Sequence, residues 1–435
     1  NFWQFDHWEE VIVDDRLPTN RGKLIFMHSD SKNEFWSALF EKAYAKLNGN
    51  YESLAGGTQA EAMVDFTGGL CESFELQGDL PQDFFHQMEK NVARCSLMGC
   101  SIDTGEVEGD VGNGLLSGHA YSVTGVQAVK NHQLIRVRNP WGKVEWRGAW
   151  SDNSREWNQI SDDEKEELGL VSSDDGEFWM SYKDFISNFT KLEICHLGPE
   201  AFASDTAKAH WQMIAESGEW SKNVTAGGCR NYLGTFATNP QYKVEIVDPD
   251  SDDEDDCGHV LIGLQQKDMR KKKLPFYTVG YVVYTLDDPN AERLDLQYFR
   301  THKSVAKSDF SNTREVCGQH KLKPGHYVIV PSSFRPNEEA DFQLRIFSAH
   351  KPNSGGELDI HNNSQPIDDE IKSAMELSPE DMKEKLEELA KAFWQFAGPK
   401  EVINHHQLRQ ILNATYRAEI GEDFKDLDVE TSRSI

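Results

Sequence analysis

The stretch "SGHAYSVTG" (117–125), followed by "RNPWG" (138–142), decides the fold of the central part of this chain. His119 begins one apolar run and Asn139 ends the next, a pattern that predicts two neighbouring strands. A histidine whose ring is oriented by an asparagine amide can take the proton of a thiol. The pair therefore predicts a base and its orienting group, and the alternative is an ordinary hairpin with one buried histidine.

Composition limits the class of protein to which the chain can belong. Its 435 residues are 38% hydrophobic and 27% charged, typical of soluble globular domains. A formal net charge of −28 argues against nucleic acid as a partner and fits calcium better. Seven scattered cysteines predict reduced thiols inside the cell. The first residue is Asn, so we expect the chain to be part of a longer polypeptide.

Local patterns divide the chain into regions of different character. Residues 2–19 predict a strand pair that ends at a proline turn, and residues 33–49 predict an amphipathic helix that stops at a glycine. The glycine pair in "FTGGL" (66–70) predicts a hinge. Short alternating bursts over 228–350 are typical of an antiparallel β-sandwich. A polar linker follows, and then a helix that begins with a capping-box pattern at Ser378.

Two acidic stretches are candidate calcium ligands. The turn "DDGEFW" (174–179) directs three acids around one glycine. The loop "DPDSDDEDD" (248–256) lies between two predicted strands and precedes the basic stretch "KDMRKKK" (267–273). For each acidic stretch alone, the alternative is a solvated surface segment. The acids of the loop are Asp248, Asp250, Asp252, Asp253, Glu254, Asp255 and Asp256.

Nine collinear stretches resemble the calpains, which are calcium-dependent cysteine proteases of papain-like type. They are "IVDDRLPT" (12–19), "EFWSALFEKAYAKLNG" (34–49), "YESLAGG" (51–57), "DFTGG" (65–69), "GCSID" (99–103), "GHAYSVTG" (118–125), "RVRNPWG" (136–142), "EWRGAWSD" (145–152) and "DGEFWMSYKDF" (175–185). The resemblance continues, more weakly, to the carboxyl end.

The resemblance implies a multidomain α+β fold with a papain-like two-lobe protease core whose first lobe is incomplete. It implies an antiparallel C2-like β-sandwich next, and then the start of an α-helical penta-EF-hand domain. In the first EF-hand, Lys400, Val402 and Gln407 replace the expected ligands, which puts calcium binding there in doubt. We therefore expect the first lobe over 1–67, the second over 68–200, the sandwich over 201–350, a linker over 351–375 and the EF-hand part over 376–435.

The resemblance also implies roles for individual residues. His119 would be the general base, Asn139 its orienting residue, and Trp141 a side chain that lines the cleft and wedges between the lobes without calcium. Residues implied as calcium ligands are Glu145, Asp152, Asp175, Glu177 and the Ser173 carbonyl in the second lobe, with Glu34 in the first. The nucleophilic cysteine is expected upstream of residue 1, because Cys71 and Cys100 are interpreted as small core residues.

The function implied is a calcium-activated cysteine endopeptidase that makes limited cuts in proteins, inactive without the segment that carries the cysteine. The alternative is a catalytically inactive scaffold that binds calcium and phospholipid. Partners implied are protein substrates, an anionic membrane surface at the sandwich, and a small regulatory subunit or a second copy at the EF-hand domain. We expect a cytoplasmic protein with calcium-dependent membrane association.

Overall fold

The structure is a computed structural model that describes residues 1–29, 31, 33–103, 108–198, 210–246, 257–288, 291 and 293–350. The predicted acidic loop (248–256), the linker and the EF-hand part (351–435) lie outside the described residues. No helix within these ranges is both long enough and apolar enough to cross a membrane.

Residues 1–67 form short strands followed by two helices. The predicted strand pair is confirmed, but it ends before residues 11–13, which the sequence had placed in it and which are irregular. The predicted helix is confirmed, and Gly49 follows it with a positive φ of 111°. The elements are β1 (Phe2–Gln4), β2 (His7–Glu9), β3 (Thr19–Asn20), β4 (Lys23–Leu24), α1 (Trp36–Asn48) and α2 (Gln59–Thr67).

Residues 70–196 build an antiparallel sheet of six strands in the order β11-β10-β9-β6-β12-β5. The predicted hairpin is confirmed as β9 paired with β10. The main apolar cluster joins residues such as Tyr121 and Phe178 to the helix residue Met88. The elements are β5 (Leu70–Glu75), α3 (Phe84–Ala93), β6 (Leu97–Ser101), β7 (Gly109–Asp110), β8 (Leu116–Ser117), β9 (Ala120–Val129), β10 (His132–Arg138), α4 (Asp162–Glu167), β11 (Glu177–Ser181), α5 (Tyr182–Asn188) and β12 (Lys191–His196).

Residues 210–350 form the predicted sandwich from two four-stranded antiparallel sheets, β13-β20-β15-β18 and β14-β19-β16-β17. Ile262 and Leu344 of the first sheet pack with Tyr281 and Ile329 of the second in one core. The elements are β13 (His210–Trp220), α6 (Leu233–Phe236), β14 (Tyr242–Ile246), β15 (Gly258–Gln266), β16 (Val279–Thr285), α7 (Leu296–Thr301), β17 (Ala306–Lys307), β18 (Glu315–Leu322), β19 (Gly325–Ser333) and β20 (Ala340–His350).

The sequence patterns missed β13 and β18, which occupy the two edges of the first sheet. The strand "EVCGQHKL" carries polar residues at half of its positions, three of them in a row, so its apolar alternation is weak. The strand "HWQMIAESGEW" is similarly mixed and begins before the region in which alternation was recognised.

Candidate active site

His119 and Asn139 are brought together by the β9–β10 hairpin. His119 immediately precedes β9 and Asn139 immediately follows β10, so the antiparallel pairing places both at the same end of the sheet. The ring Nε2 of His119 lies 2.9 Å from Asn139 Oδ1. Asn139 is fully buried. The contact predicted from the two sequence stretches is therefore present.

The Asn139 amide is held in one orientation by two backbone contacts. Its Nδ2 donates to the Val144 carbonyl at 3.0 Å, and its Oδ1 also accepts from the Trp141 N–H at 3.0 Å. The Asn139 N–H donates to the Gly176 carbonyl at 2.8 Å, which fixes the strand end. Gly176 has φ = 84°, and a Cβ there would lie 2.8 Å from the Asn139 carbonyl oxygen, so the turn requires glycine.

These contacts determine which ring nitrogen of His119 carries the shared proton. A backbone carbonyl only accepts, so the Asn139 NH2 group must face Val144 and Oδ1 must face the ring. An amide oxygen also only accepts, so the Nε2 of His119 is the donor. The other nitrogen, Nδ1, makes no contact with Asn139.

The Nδ1 side of the ring faces a carboxylate that the sequence patterns did not single out. Glu108 Oε1 lies 2.7 Å from His119 Nδ1. Glu108 belongs to the connection between β6 and β7, and only the folded chain brings it to the ring. Glu108 therefore brings a carboxylate to the side of the ring opposite Asn139. Sequence spacing gives no signal for this contact.

Trp141 covers one face of the histidine. Its ring centroid lies 4.6 Å from that of His119 at an interplanar angle of 53°. The indole is 48% exposed, so it stands at the open side of the site rather than in the core. Trp141 therefore lies beside His119, and its roles in lining a cleft and wedging between lobes stay predictions.

Three of the predicted calcium ligands interact electrostatically. Burial, together with the neighbouring carboxylates of Glu145 and Asp175, raises the pKa of Asp152 to about 6. One oxygen of Asp152 is buried without a hydrogen-bond partner. Hydrogen bonds from the Glu177 N–H and the Ser173 hydroxyl lower the pKa of Asp175. A buried acceptor oxygen beside two other acids is the electrostatic environment that a hard cation would relieve.

The remaining predicted ligands have other contacts. Glu177 Oε1 accepts a hydrogen bond from Thr124 Oγ1 at 2.8 Å and lies 3.7 Å from Arg136 Nε. Glu34, far away in the chain segment before α1, accepts from Ser29 Oγ at 2.9 Å. Within the described ranges, no three acidic, histidine or cysteine side chains are already arranged around one metal position.

The seven cysteines of the chain are free thiols in this structure. Burial raises the pKa of Cys71, Cys100 and Cys317 well above the usual value. Cys195 is fully buried in β12, opposite Cys71, and its sulfur lies 3.7 Å from Thr67 Oγ1. Cys95 is exposed after α3. Cys229 and Cys257 belong to the sandwich region.

The β-rich core and the His119–Asn139 pair are those expected of a cysteine-protease catalytic domain. A model of calpain family cysteine proteases matches residues 1–196, and a model of calpain large subunit domain III matches residues 216–347. The chain is 44% identical to Calpain-9 of Rattus norvegicus over its whole length. It is also 44% identical to Calpain-A of Drosophila melanogaster over 96% of the chain. The chain belongs to the calpain family.

The chain spans only part of these relatives. It covers 63% of rat Calpain-9 and 53% of Drosophila Calpain-A. The human Calpain-9 match is 49% identical over 80% of the chain and covers 52% of that protein. The comparisons establish membership in the family and the β-rich domains. They do not assign the activity of the full-length relatives to this chain.

Proposed function

We propose that this chain provides the histidine and asparagine of a calcium-activated cysteine endopeptidase that makes limited cuts in proteins. The observation that carries the proposal is the His119–Asn139 hydrogen bond, in which Nε2 is the donor and Nδ1 lies on the opposite side of the ring, against Glu108. A catalytically inactive scaffold would gain nothing from an asparagine held so firmly against the histidine.

The ring geometry supports a specific course of proton transfers. Nδ1 takes the proton of the nucleophilic thiol, and the resulting thiolate attacks the scissile carbonyl carbon. The protonated ring then gives that proton to the leaving amine, which releases the first product and leaves an acyl-enzyme. Asn139 keeps the ring oriented during both transfers. Water, deprotonated by the same ring, then attacks the acyl carbon, which breaks the C–S bond, releases the carboxylic product and returns the proton from the ring to the sulfur.

The nucleophile in this proposal comes from a segment outside these 435 residues. The cysteines of the six-stranded sheet, Cys71, Cys100 and Cys195, are buried, and for the first two burial disfavours the thiolate. Large apolar side chains of residues 1–67 are exposed, among them Trp36 and Ile12. A protein segment that packs on them could carry the cysteine towards His119 and displace Glu108 from Nδ1.

Calcium is the cofactor that the acidic residues fit best. Asp152, Glu145, Asp175 and the Ser173 carbonyl would hold it, because Asp152 has a buried oxygen without a partner and a raised pKa. When bound, the cation would neutralise the crowded carboxylates and fix the strand–turn that ends at Gly176, next to Asn139. The assignment of Glu34 and Glu177 remains a weaker part of this proposal.

The basic stretch of the sandwich favours contact with the protease core over contact with lipid. Arg270 pairs with Glu61 of α2 at 2.7 Å, and Lys267 Nζ lies 3.5 Å from Asp6. These charges already have partners, although Lys271 and Lys273 are exposed. Membrane association and a small subunit or second copy at the EF-hand part stay as proposals, as does a cytoplasmic location.

A thiol-labelling experiment tests the function. The chain is mixed with the first-lobe fragment of a calpain and calcium, treated with a peptidyl epoxide directed at cysteine proteases, and digested for mass spectrometry. We expect the label on the cysteine of the supplied fragment. The amount of label should be lower when the chain in the mixture carries His119→Ala. Label on one of the seven cysteines of this chain instead would contradict the proposal.

A further inference from the structure

The first sheet of the sandwich is buried on both of its faces. In the β15–β20 pair, Leu261 lies opposite Phe347 and Gly263 lies opposite Arg345. Neighbouring residues such as Ile262 point into the sandwich core, so these four share the outer face. Leu261, Arg345 and Phe347 are nevertheless fully buried, and Leu261 and Phe347 cluster with Leu70 of the protease region.

Arg345 is the polar centre of this contact. Its Nη1 donates to the Gly68 carbonyl at 2.8 Å, and its Nη2 donates to the Gly69 carbonyl at 2.9 Å. Nη2 also donates to Glu315 Oε1 at 2.7 Å. A fully buried guanidinium is costly unless its charge is paired and its donors are satisfied. Here one carboxylate and two consecutive backbone carbonyls engage the two Nη groups, whereas Nε is buried without a hydrogen-bond partner.

The two carbonyls belong to the joint between α2 and β5, which the sequence predicted as a hinge. Gly68 ends α2 with φ = 69°, so the chain changes direction there. A Cβ on Gly69 would lie 2.6 Å from both Cys195 Sγ and the His196 carbonyl oxygen. On the sandwich side, a Cβ on Gly263 would lie 2.3 Å from a methyl of Leu70. Close packing at this joint therefore requires glycine at positions 69 and 263, where a side chain would not fit.

The sandwich also contacts the chain on each side of the joint. Before it, Arg314 Nη1 lies 2.8 Å from Asp65 Oδ1 in α2. After it, the backbone N–H of Gln319 donates to Glu72 Oε1 in β5 at 2.9 Å. Residues 1–67 and 70–198 are thus both held by the sandwich, and Arg345 lies between the two anchor points.

We propose that Arg345, oriented by Glu315, is a positioning residue that sets the angle between residues 1–67 and residues 70–198 through the carbonyls of Gly68 and Gly69. The sandwich thereby governs how the His119 site meets its nucleophile. The catalytic consequence rests on the proposed function above, whereas the mechanical role of Arg345 stands on the contacts of the joint alone.

Hydrogen–deuterium exchange on the full chain tests the mechanical role. The variants are Arg345→Lys, which keeps the charge but cannot reach both carbonyls and Glu315 with a planar fork, and Glu315→Gln, which is nearly isosteric. Arg300→Lys, at an exposed position of the same sandwich, is the matched control. We expect exchange of peptides spanning 64–75 to rise about tenfold in both variants while β16 and β19 stay within about twofold of the parent chain.

Two results would overturn the proposal. One is unchanged exchange over 64–75 in Glu315→Gln, which decides the matter if Arg345→Lys unfolds. The other is a rise at 64–75 that only parallels an equal rise across β16 and β19, because a general loss of sandwich stability would produce that pattern.

Kinetics in the mixture with a calpain first-lobe fragment test the catalytic consequence. We expect Arg345→Lys to lower kcat severalfold with little change in KM, and Arg345→Met to lower kcat further. Equal kcat in the parent chain and both variants would contradict the consequence. If the parent mixture cleaves nothing, the proposed function fails, and the exchange result still decides the role of Arg345.

Discussion

Residues 1–67 and residues 70–198 differ in the size of their sheets and in how well their large apolar side chains are buried. The second region has a six-stranded sheet, and Trp179 in it is only 3% exposed. The first region has strands of two or three residues, and its Trp36 and Ile12 are 68% and 71% exposed. Exposed large apolar side chains of this kind are candidates for contact with another protein segment.

The second region contains a complete pair of candidate catalytic residues, whereas the first region contributes no residue to that pair. In the second region, Asn139 orients His119 through contacts made entirely within that region. The first region instead presents apolar surface. In the proposed mechanism, the base and its orienting residue are therefore in place before the nucleophile reaches them.

The largest effect is expected at the base. His119→Ala should lower casein cleavage by about 10⁴-fold in the calcium-containing mixture with a calpain first-lobe fragment, because no other group can take the thiol proton. His86→Ala, an exposed histidine on α3, is the control and should leave the rate unchanged. A similar loss of cleavage in both variants would show that the effect is not specific to His119 and would contradict its role as the base.

A pair of tryptophan substitutions tests the difference in folding directly. Trp179→Ala should lower the free energy of unfolding by about 3–5 kcal/mol, because a large side chain is removed from a closed cluster with Trp150 and Trp157. Trp36→Ser should change it by less than about 0.5 kcal/mol in the chain alone. Urea denaturation followed by circular dichroism measures both. Comparable losses of free energy in the two variants would show that Trp36 already packs within this chain.

Asn139→Ala should have an intermediate effect on catalysis. Without the amide, His119 loses its acceptor and the Val144 carbonyl loses its donor, so kcat should fall by about 10²-fold with a smaller change in KM. Stopped assays of casein cleavage in the same mixture measure both constants. An unchanged kcat would show that the ring is oriented by something other than Asn139.

The smallest effect concerns the acids near Gly176. Asp152 has a pKa raised to about 6, above its unfolded value, so its contribution to stability is present at low pH and is lost as pH rises through about 6. In calcium-free buffer, Asp152→Asn should remove that loss and raise the melting temperature at pH 7.5 by a few degrees. Thermal denaturation between pH 4 and pH 8 measures it.

The same variant separates calcium binding from simple charge repulsion. Calcium should raise the melting temperature of the parent chain by about 5 °C at saturating concentration and should not do so for Asp152→Asn. Asp174→Asn, an exposed neighbour, is the matched control and should keep the calcium effect. If calcium stabilises Asp152→Asn as much as the parent chain, the cation binds elsewhere.

Features encoded by local periodicity could be predicted from the sequence. The helix α1, the β9–β10 hairpin and the strands β15, β16, β19 and β20 each show an apolar repeat that needs no knowledge of distant residues. The His119–Asn139 contact was predictable because both residues lie at the ends of paired strands. Family membership was predictable from short collinear stretches.

Contacts between distant segments were not predictable in this way. Glu108 and Arg345 carry no periodic signal, and their partners His119 and Gly68 become neighbours only when the sheets pack. Leu261 and Phe347 look like ordinary sandwich residues in the sequence, although they face the protease region. The missed edge strand β18 has the same cause, since its polar pattern reflects both solvent and the contact with β5.

We propose that this chain supplies the base and its orienting residue of a calpain-type protease and that another segment supplies the nucleophile. Casein cleavage with calcium tests it most directly, with the chain alone, the first-lobe fragment of a calpain alone, and the two mixed. The account predicts cleavage only in the mixture and its loss with His119→Ala. Calcium-dependent cleavage of casein by this chain alone would contradict it.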